Sequence, residues 1–436
     1  MAVAAAPTEL ELSIEDLAAG GRGLARAPDG RVVFVTGALA GERVRARVEA
    51  ERRGYLEAGC REVLEPSPRR VEPACSLYGR CGGCDLMHLD YPAQVRAKAA
   101  WLEAALGRLP GVPGVESHPS PRPWGYRNRL KLQVDRGRVG FFAARSRRLV
   151  PVERCPVAAP SLRRVLPALA GALAGAGGEP SLWLELLGGE DEQAPVLGCL
   201  GFSPRYRPAK RGLERLRRLC REAGLAGVRL ALGRRLEPWR LSPAAGVVYY
   251  EDKGLSLRAF PGLFCQVNFA ANRRLVELVV EMAGRPGPQG QALDLYGGSG
   301  NLGLPLAARG WRVLSVERSA GACEAGEWLA GVNRLEGRWR WLDQEAGAAL
   351  QGLAGQGRRF ELVVLDPPRA GAKGLMPLVA ALSPRRVVYV SCHPAALARD
   401  ASELVAAGYR PRRLALVDMF PHTGHSEALL LLERVG

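Results

Sequence analysis

The sequence predicts an α/β protein: a doubly wound, mainly parallel sheet of the Rossmann-like kind in its C-terminal part, preceded by a small all-β unit and a mixed α+β middle. Three observations carry this. From Ala292 the chain repeats the pattern strand, Gly loop, helix, strand, with segments at 293–296, 297–303 and 313–317. Two apolar runs of strand length, 362–365 and 387–390, each end in polar chemistry. Residues up to 68 break into short alternating segments separated by Gly turns.

A chain of 436 residues is too long for one ordinary core, so two or three domains are expected, and 47% hydrophobic residues suffice to fill them. No run of about 18 apolar residues occurs, and the first seven residues are too short and uncharged for a signal peptide, so a soluble, cytoplasmic protein is expected. The net charge of +17 points to an acidic partner, nucleic acid before membrane. Lys98, Lys131, Lys210, Lys253 and Lys373 are the only lysines, so the charge is overwhelmingly arginine, a bias that base composition of a gene can also produce. Ten cysteines in a cytosolic chain argue for metal or catalysis rather than disulfides.

In chain order, residues 1–68 read as a five-stranded OB-like barrel. Segment 42–49 alternates Val44, Ala46 and Val48 with Arg43, Arg45 and Arg47, which would line one face as a phosphate-tracking surface. Residues 69–263 form the middle domain. It opens on Cys75, Cys81 and Cys84, with Gly82-Gly83 allowing the thiols to converge, and Cys155 before Pro156 is the best fourth ligand, with Cys60 in reserve. Four thiolates can hold tetrahedral zinc or an iron–sulfur cluster; the spacing does not choose between them.

Residues 91–109 have helical periodicity and could pack on the last domain. Residues 129–134 and 139–143 form a hairpin with Arg145, Arg147 and Arg148 behind it, a second basic surface. Residues 160–259 alternate strands (182–187, 228–232, 247–250) with Arg-rich helices such as 212–221, and carry no catalytic constellation. A helix at 270–283 precedes Pro286-Gly287-Pro288, and the last domain is expected to span residues 264–436.

The Gly loop Gly298-Ser299-Gly300-Asn301-Leu302-Gly303, with Glu317 downstream, would by itself suit a dinucleotide. Asp294 argues otherwise. Its charge at the strand end would repel a pyrophosphate but suits the cationic amino group of S-adenosylmethionine, while Glu317 can grip ribose hydroxyls in either case. Cys392 closes the strand 387–390 just before Pro394, at the sheet end where ligands collect, so the thiol faces a site rather than the core. Asp366-Pro367-Pro368-Arg369 and Glu427, with His422 and His425, stand at the ends of neighbouring strands.

The set Phe264-Cys265-Gln266-Val267-Asn268, Asp294-Leu295-Tyr296 with its Gly loop, Asp366-Pro367-Pro368-Arg369, Ser391-Cys392-His393-Pro394 with Leu397-Ala398-Arg399-Asp400, and Phe420-Pro421-His422-Thr423 with His425 and Glu427 resembles the RNA uracil-5-methyltransferases over nearly the whole chain. The N-terminal unit resembles a TRAM domain, and Cys75, Cys81, Cys84 and Cys155 match the 4Fe-4S site of the 23S ribosomal RNA branch. The resemblance implies a class I S-adenosylmethionine methyltransferase domain, Cys392 as nucleophile, Glu427 as the base that removes the carbon-5 proton, and Gln266, Tyr296, Asn301, Glu317, Asp343 and Asp366 as contacts of the methyl donor. It also implies a monomer acting on RNA, with no DNA or membrane partner. Three positions depart from the pattern: Gly297 replaces a frequent cysteine, Cys265 a frequent aromatic, and His393 a frequent asparagine beside the nucleophile.

Three rivals remain. Amino-group methyltransferases carry an aromatic where Arg369 stands and need no cysteine. Cytosine-5 methyltransferases place their cysteine after a proline at the motif of Asp366. A non-catalytic RNA-binding assembly factor would have no use for Cys392 and Glu427. Transfer RNA stays open as the target.

Overall fold

The computed structural model describes residues 9–135, 137–174, 182–202, 209–233 and 235–435. The chain divides into two compact units. The smaller comprises the described residues up to Trp101 with Ala143–Ser146 and Phe420–His425; the larger comprises the rest.

In the smaller unit six strands form one sheet. Glu9–Ser13 lies beside Arg43–Arg52, followed by Tyr55–Glu65, Val32–Thr36, Arg22–Arg26 and Asp16–Ala18. Alternation sends Leu12, Val33, Val35, Val44, Ala46, Leu56 and Ala58 into one core. The sequence reading expects five strands; the sheet has six, among them Asp16–Ala18, whose three residues are too few to display a period. A second small cluster joins Leu17 and Leu39 to Leu86 and Leu89, with Trp101 of the helix Tyr91–Leu106 packed against it.

The larger unit contains two main sheets. One runs Leu149–Pro151, Arg138–Phe142, Arg129–Asp135, Leu182–Gly188, Val196–Phe202, Gly227–Leu232 and Arg235–Leu236; among the described pairs, only Val196–Phe202 with Gly227–Leu232 is parallel. The other runs Trp339–Asp343, Arg312–Glu317, Gln291–Leu295, Leu362–Leu365, Arg386–Ser391, Glu427–Arg434, Tyr409–Val417 and Val115–His118. Its first five strands are parallel. Their residues read as apolar runs because helices cover both faces: Leu362–Leu365 and Val387–Val390 are wholly buried. Leu102, Leu106 and Leu109, at and just beyond the end of the helix Tyr91–Leu106, belong to this core.

Two strands escape a reading by periodicity. Val115–His118 is four residues long and joins the far edge of the large sheet, parallel to Tyr409–Val417. Tyr409–Val417 contains Pro411, and the register slips between Pro411 and Arg413, where the missing N–H is accommodated by an irregularity in the ladder. The strand order reverses at Gln291–Leu295, with Arg312–Glu317 on one side and Leu362–Leu365 on the other. That switch point leaves a crevice at the carboxyl ends of these strands.

Candidate active site

The crevice holds a cleft of roughly 450 Å³ lined by Gln266, Asp294, Tyr296, Asn301 and Asp366, with Tyr249, Phe264, Cys265 and the Gly297–Leu302 loop. Four of the six residues expected to contact the methyl donor are therefore brought together. Glu317 and Asp343 are not in this lining; they stand in register at the ends of adjacent strands. Glu317 already accepts from Gly298 N at 3.1 Å, Arg318 N at 2.9 Å and Ser319 N at 2.8 Å, while Asp343 is exposed.

Asp294 is buried, and burial pushes its carboxyl up to about 7 against the hydrogen bond from Ser315 Oγ at 3.2 Å. Its Oδ1 has no hydrogen-bond partner among the described residues. A desolvated carboxylate oxygen left open in a cleft suits a cationic group, so the cleft fits the amino and sulfonium charges of S-adenosylmethionine. Gly297 is forced by the same residues: a Cβ there would stand 2.6 Å from Asp294 Oδ2 and also collide with Ser315 Oγ, so the frequent cysteine cannot be accommodated beside this serine. Tyr296 takes φ +60°, a left-handed conformation that costs a non-glycine residue about 1–2 kcal/mol and turns the chain from the strand into the loop.

Gln266 Nε2 donates to Asp366 Oδ2 at 3.4 Å. Asn301 is tied to Asn272 by reciprocal amide bonds of 2.9 and 3.0 Å, so its side chain braces the loop. Asn272 was not foreseen, although a polar residue on the buried face of the predicted helix 270–283 is the signal that could have found it. The same holds for Tyr249, the third residue of the predicted strand 247–250.

Cys392 follows the strand Arg386–Ser391, and the helix Pro394–Ala406 starts two residues later. His393 caps that helix: its ring Nδ1 accepts from Ala396 N at 3.2 Å, and Pro394 fills the first turn. The histidine therefore does the capping work for which asparagine is suited. Ser391 Oγ accepts from His393 N at 3.1 Å and fixes the intervening turn.

Glu427 is the first residue of its strand, and Ser391 pairs in antiparallel register with Ala428. Cys392 and Glu427 are the next residues out on the two chains, at the same end of this ladder. Glu427 is 4% exposed, and Oε2 has no hydrogen-bond partner among the described residues. Burial and then the Asp366 carboxylate hold Glu427 well above the usual carboxylate range. Asp366 is itself pushed up to about 7 by burial. Burial, then Glu427 and Asp366, pushes the Cys392 thiol up to about 11, with Arg369 pulling it back. Cys265, half-buried in the cleft lining, is pushed up to about 12 by burial, which disfavours its thiolate.

Cys75, Cys81 and Cys84 lie in the smaller unit and Cys155 in the larger, each half-buried, as is Cys60. Their donor chemistry suits a soft metal, yet no group of three or more His, Cys, Asp or Glu side chains among the described residues is gathered to hold a metal ion. The arginine surfaces differ from expectation. Arg43 pairs with Glu11 at 3.3 Å and Glu65 at 2.8 Å, and Arg45 with Glu11 and Glu62. Arg129 pairs with Glu185, and Lys131 lies over the Trp183 ring at 4.2 Å. Cross-strand acids thus balance much of the charge that a single strand's sequence displays.

The profile of tRNA (Uracil-5-)-methyltransferase matches residues 246–338 and 342–435, and that of the TRAM domain residues 8–59. Curated relatives named 23S rRNA (uracil(1939)-C(5))-methyltransferase RlmD include one from Cronobacter sakazakii, 37% identical over 98% of this chain and 96% of its own, and one from Alkalilimnicola ehrlichii, 37% identical over 97% and 96%. Among solved structures, the Pyrococcus abyssi tRNA (uracil-54, C5)-methyltransferase in complex with S-adenosyl-L-homocysteine superposes with a TM-score of 0.72 at 24% identity, covering 97% of this chain and 100% of that one, a likeness of fold. With full-length relatives at this identity, the chain belongs to the RNA uracil-5-methyltransferase family and carries a TRAM domain at its N-terminal end.

Proposed function

We propose that this RNA uracil-5-methyltransferase modifies 23S ribosomal RNA, takes its methyl group from S-adenosylmethionine, and works through a covalent adduct of Cys392. The observation that supports the reading is the pairing of Ser391 with Ala428, which brings the strand ends bearing Cys392 and Glu427 together beside Asp366, a residue that lines the cleft. Carbon 5 of uracil is too weak a nucleophile to take a methyl directly. As the Cys392 sulfur, its proton released, adds to carbon 6, the ring becomes an enolate whose carbon 5 attacks the sulfonium methyl, and the carbon–sulfur bond of the donor breaks. The carboxylate of Glu427 then removes the carbon-5 proton, the ring's bond to sulfur breaks, and the thiolate leaves. A stacked uracil cannot reach Cys392, so the target base must leave the stack.

Gln266, Tyr296, Asn301, Glu317, Asp343 and Asp366 are proposed to hold the methyl donor, with Asp294 meeting its positive charge. Asn301 and Glu317 would act partly through backbone groups of the loop they brace. Ribosomal rather than transfer RNA is favoured by the names of relatives that match over 96% of their own length. On the same footing, residues 1–68, 69–263 and 264–436 are proposed as TRAM, iron–sulfur and catalytic parts of a cytoplasmic monomer that binds RNA and not DNA. Among the described residues no helix is long and apolar enough to cross a membrane.

The 4Fe-4S cluster on Cys75, Cys81, Cys84 and Cys155 is proposed from spacing and the Cys-Pro pair alone; about four irons and four sulfides per chain in anaerobically purified protein would support it, and stoichiometric zinc would refute it. For the reaction, RNA carrying 5-fluorouridine at the target should trap a covalent complex on Cys392, since fluorine cannot leave as a proton does. A peptide map with the label elsewhere, or no complex, would refute the assignment.

A further inference from the structure

Asp400 is fully buried on the helix Pro394–Ala406, eight residues after the thiol. Every acceptor site it offers is used. Oδ2 accepts from the Tyr389 hydroxyl at 2.6 Å and from Ala372 N at 2.7 Å, and Oδ1 accepts from Arg399 Nε at 2.7 Å. Arg399 Nη2 donates onward to Ala370 O at 2.9 Å, and Ala372 N also reaches the Tyr389 oxygen at 3.2 Å. Gly371 lies flat on this network at φ +76°: a Cβ there would come within 2.6 Å of Asp400 Oδ2 and 2.5 Å of Arg399 Nη2. Tyr389 lies on the strand that delivers Cys392, Asp400 and Arg399 on the helix that leaves it, and residues 370–372 end the turn that begins with Asp366 and carries Arg369. A buried carboxylate is a costly way to fill space, since an apolar side chain would fill it as well. What it adds is direction, because three donors from three segments must converge on one pair of oxygens.

We propose that Asp400 is a positioning residue for methyl transfer, locking the turn that runs from Asp366 through Arg369 to the strand and helix that flank Cys392. The inference rests on Cys392 being the nucleophile. Its electrostatic counterpart is that Arg369 is the cation that opposes the carboxylates around Cys392.

The test uses the full chain with S-adenosylmethionine and a uridine-containing RNA, in Asp400→Asn and the milder Tyr389→Phe, each alone and combined with Arg369→Gln. The first readout is the pH profile of Cys392 alkylation without RNA, followed by intact mass, and the second is kcat against the KM for RNA. Expected for Asp400→Asn are a kcat lowered by roughly tenfold or more with KM changed by less than about threefold, and an alkylation profile moved to higher pH. Tyr389→Phe should move both in the same direction by less. In the Arg369→Gln background both effects should shrink, because the residues act through one another. Unmoved profiles and kcat in Asp400→Asn, or in Tyr389→Phe should Asp400→Asn not fold, would overturn the proposal, as would effects fully additive with Arg369→Gln. A wild-type enzyme that forms no Cys392 adduct with 5-fluorouridine RNA would instead overturn the nucleophile assignment, a separate result.

Discussion

Ser391 and Ala428 form the last rung of two antiparallel strands in an otherwise largely parallel sheet, which brings Cys392 and Glu427, the next residue out on each chain, to the same end of the ladder. An antiparallel pair is what this chemistry needs, because it brings the carboxyl end of one strand to the amino end of the next without a crossover connection. The nucleophile can then end one strand while the base begins the other. Burial, then the Glu427 and Asp366 carboxylates, opposes ionisation of the thiol, while burial and Asp366 oppose ionisation of Glu427, so each favours its neutral form in the substrate-free enzyme.

The thiol should therefore be sluggish at neutral pH. Because thiolate is the reactive form, alkylation of Cys392 should accelerate about tenfold for each step of one in pH, up to about 11. Glu427→Gln removes a carboxylate that opposes the thiolate wherever Glu427 is ionised, and should speed alkylation several-fold at the alkaline end of the profile. Rates measured by mass spectrometry decide this; an unchanged or slower rate in Glu427→Gln would mean that the carboxylate does not act on the thiol.

Asp294 trades stability for binding. Its folded carboxyl titrates near 7 against an ordinary value of 3.8, so between these values the folded state holds a proton that the unfolded state has lost. Stability therefore falls as pH rises from about 4 to 7, and the full penalty, on the order of 2–4 kcal/mol, is present above 7. Asp294→Asn should raise Tm at pH 8 far more than at pH 4, while weakening S-adenosylmethionine binding at both the stabilising and neutral ends of the range. Equal Tm shifts at the two pH values, or unaltered affinity in calorimetry, would count against the role.

His393 is a helix cap. His393→Asn should be close to neutral in Tm and activity, whereas His393→Ala, which removes the acceptor for Ala396 N, should cost about 1 kcal/mol and loosen the turn that presents Cys392. Urea melts of the three proteins measure the difference; a stable His393→Ala variant with normal turnover would show that the cap is dispensable.

The catalytic part was legible because its strands are buried on both faces and so read as uninterrupted apolar runs, with each polar group placed at a run's end by the fold's own logic. Cys392, Glu427, Asp294 and Asp366 all sit at such ends. What sequence hides is pairing across distance. Arg43 and Arg45 read as a cationic stripe because Glu11, Glu62 and Glu65 come from other strands. Asn272 reads as one polar residue in a helix until Asn301, 29 positions on, takes up its amide. The strand Val115–His118 has no sequence signature because its partner, Tyr409–Val417, lies some 300 residues away.

The last prediction separates the roles proposed for Cys392 and Glu427, which lie at opposite ends of the proposed covalent cycle. Cys392→Ala should bind RNA and S-adenosylmethionine yet form no adduct, because carbon 5 becomes nucleophilic only after sulfur adds to carbon 6. Glu427→Gln should still add and transfer the methyl, leaving the carbon-5 proton with no strong base to receive it. A methylated covalent complex should then accumulate with ordinary uridine RNA, resist denaturant, and run as a slow band on a denaturing gel carrying label from the donor methyl. The buried Oε2 of Glu427 has no hydrogen-bond partner among the described residues, and the amide that replaces the carboxylate cannot take up the carbon-5 proton. Normal turnover by Glu427→Gln would remove it as the base, and any methylation of RNA by Cys392→Ala would remove the thiol as the nucleophile.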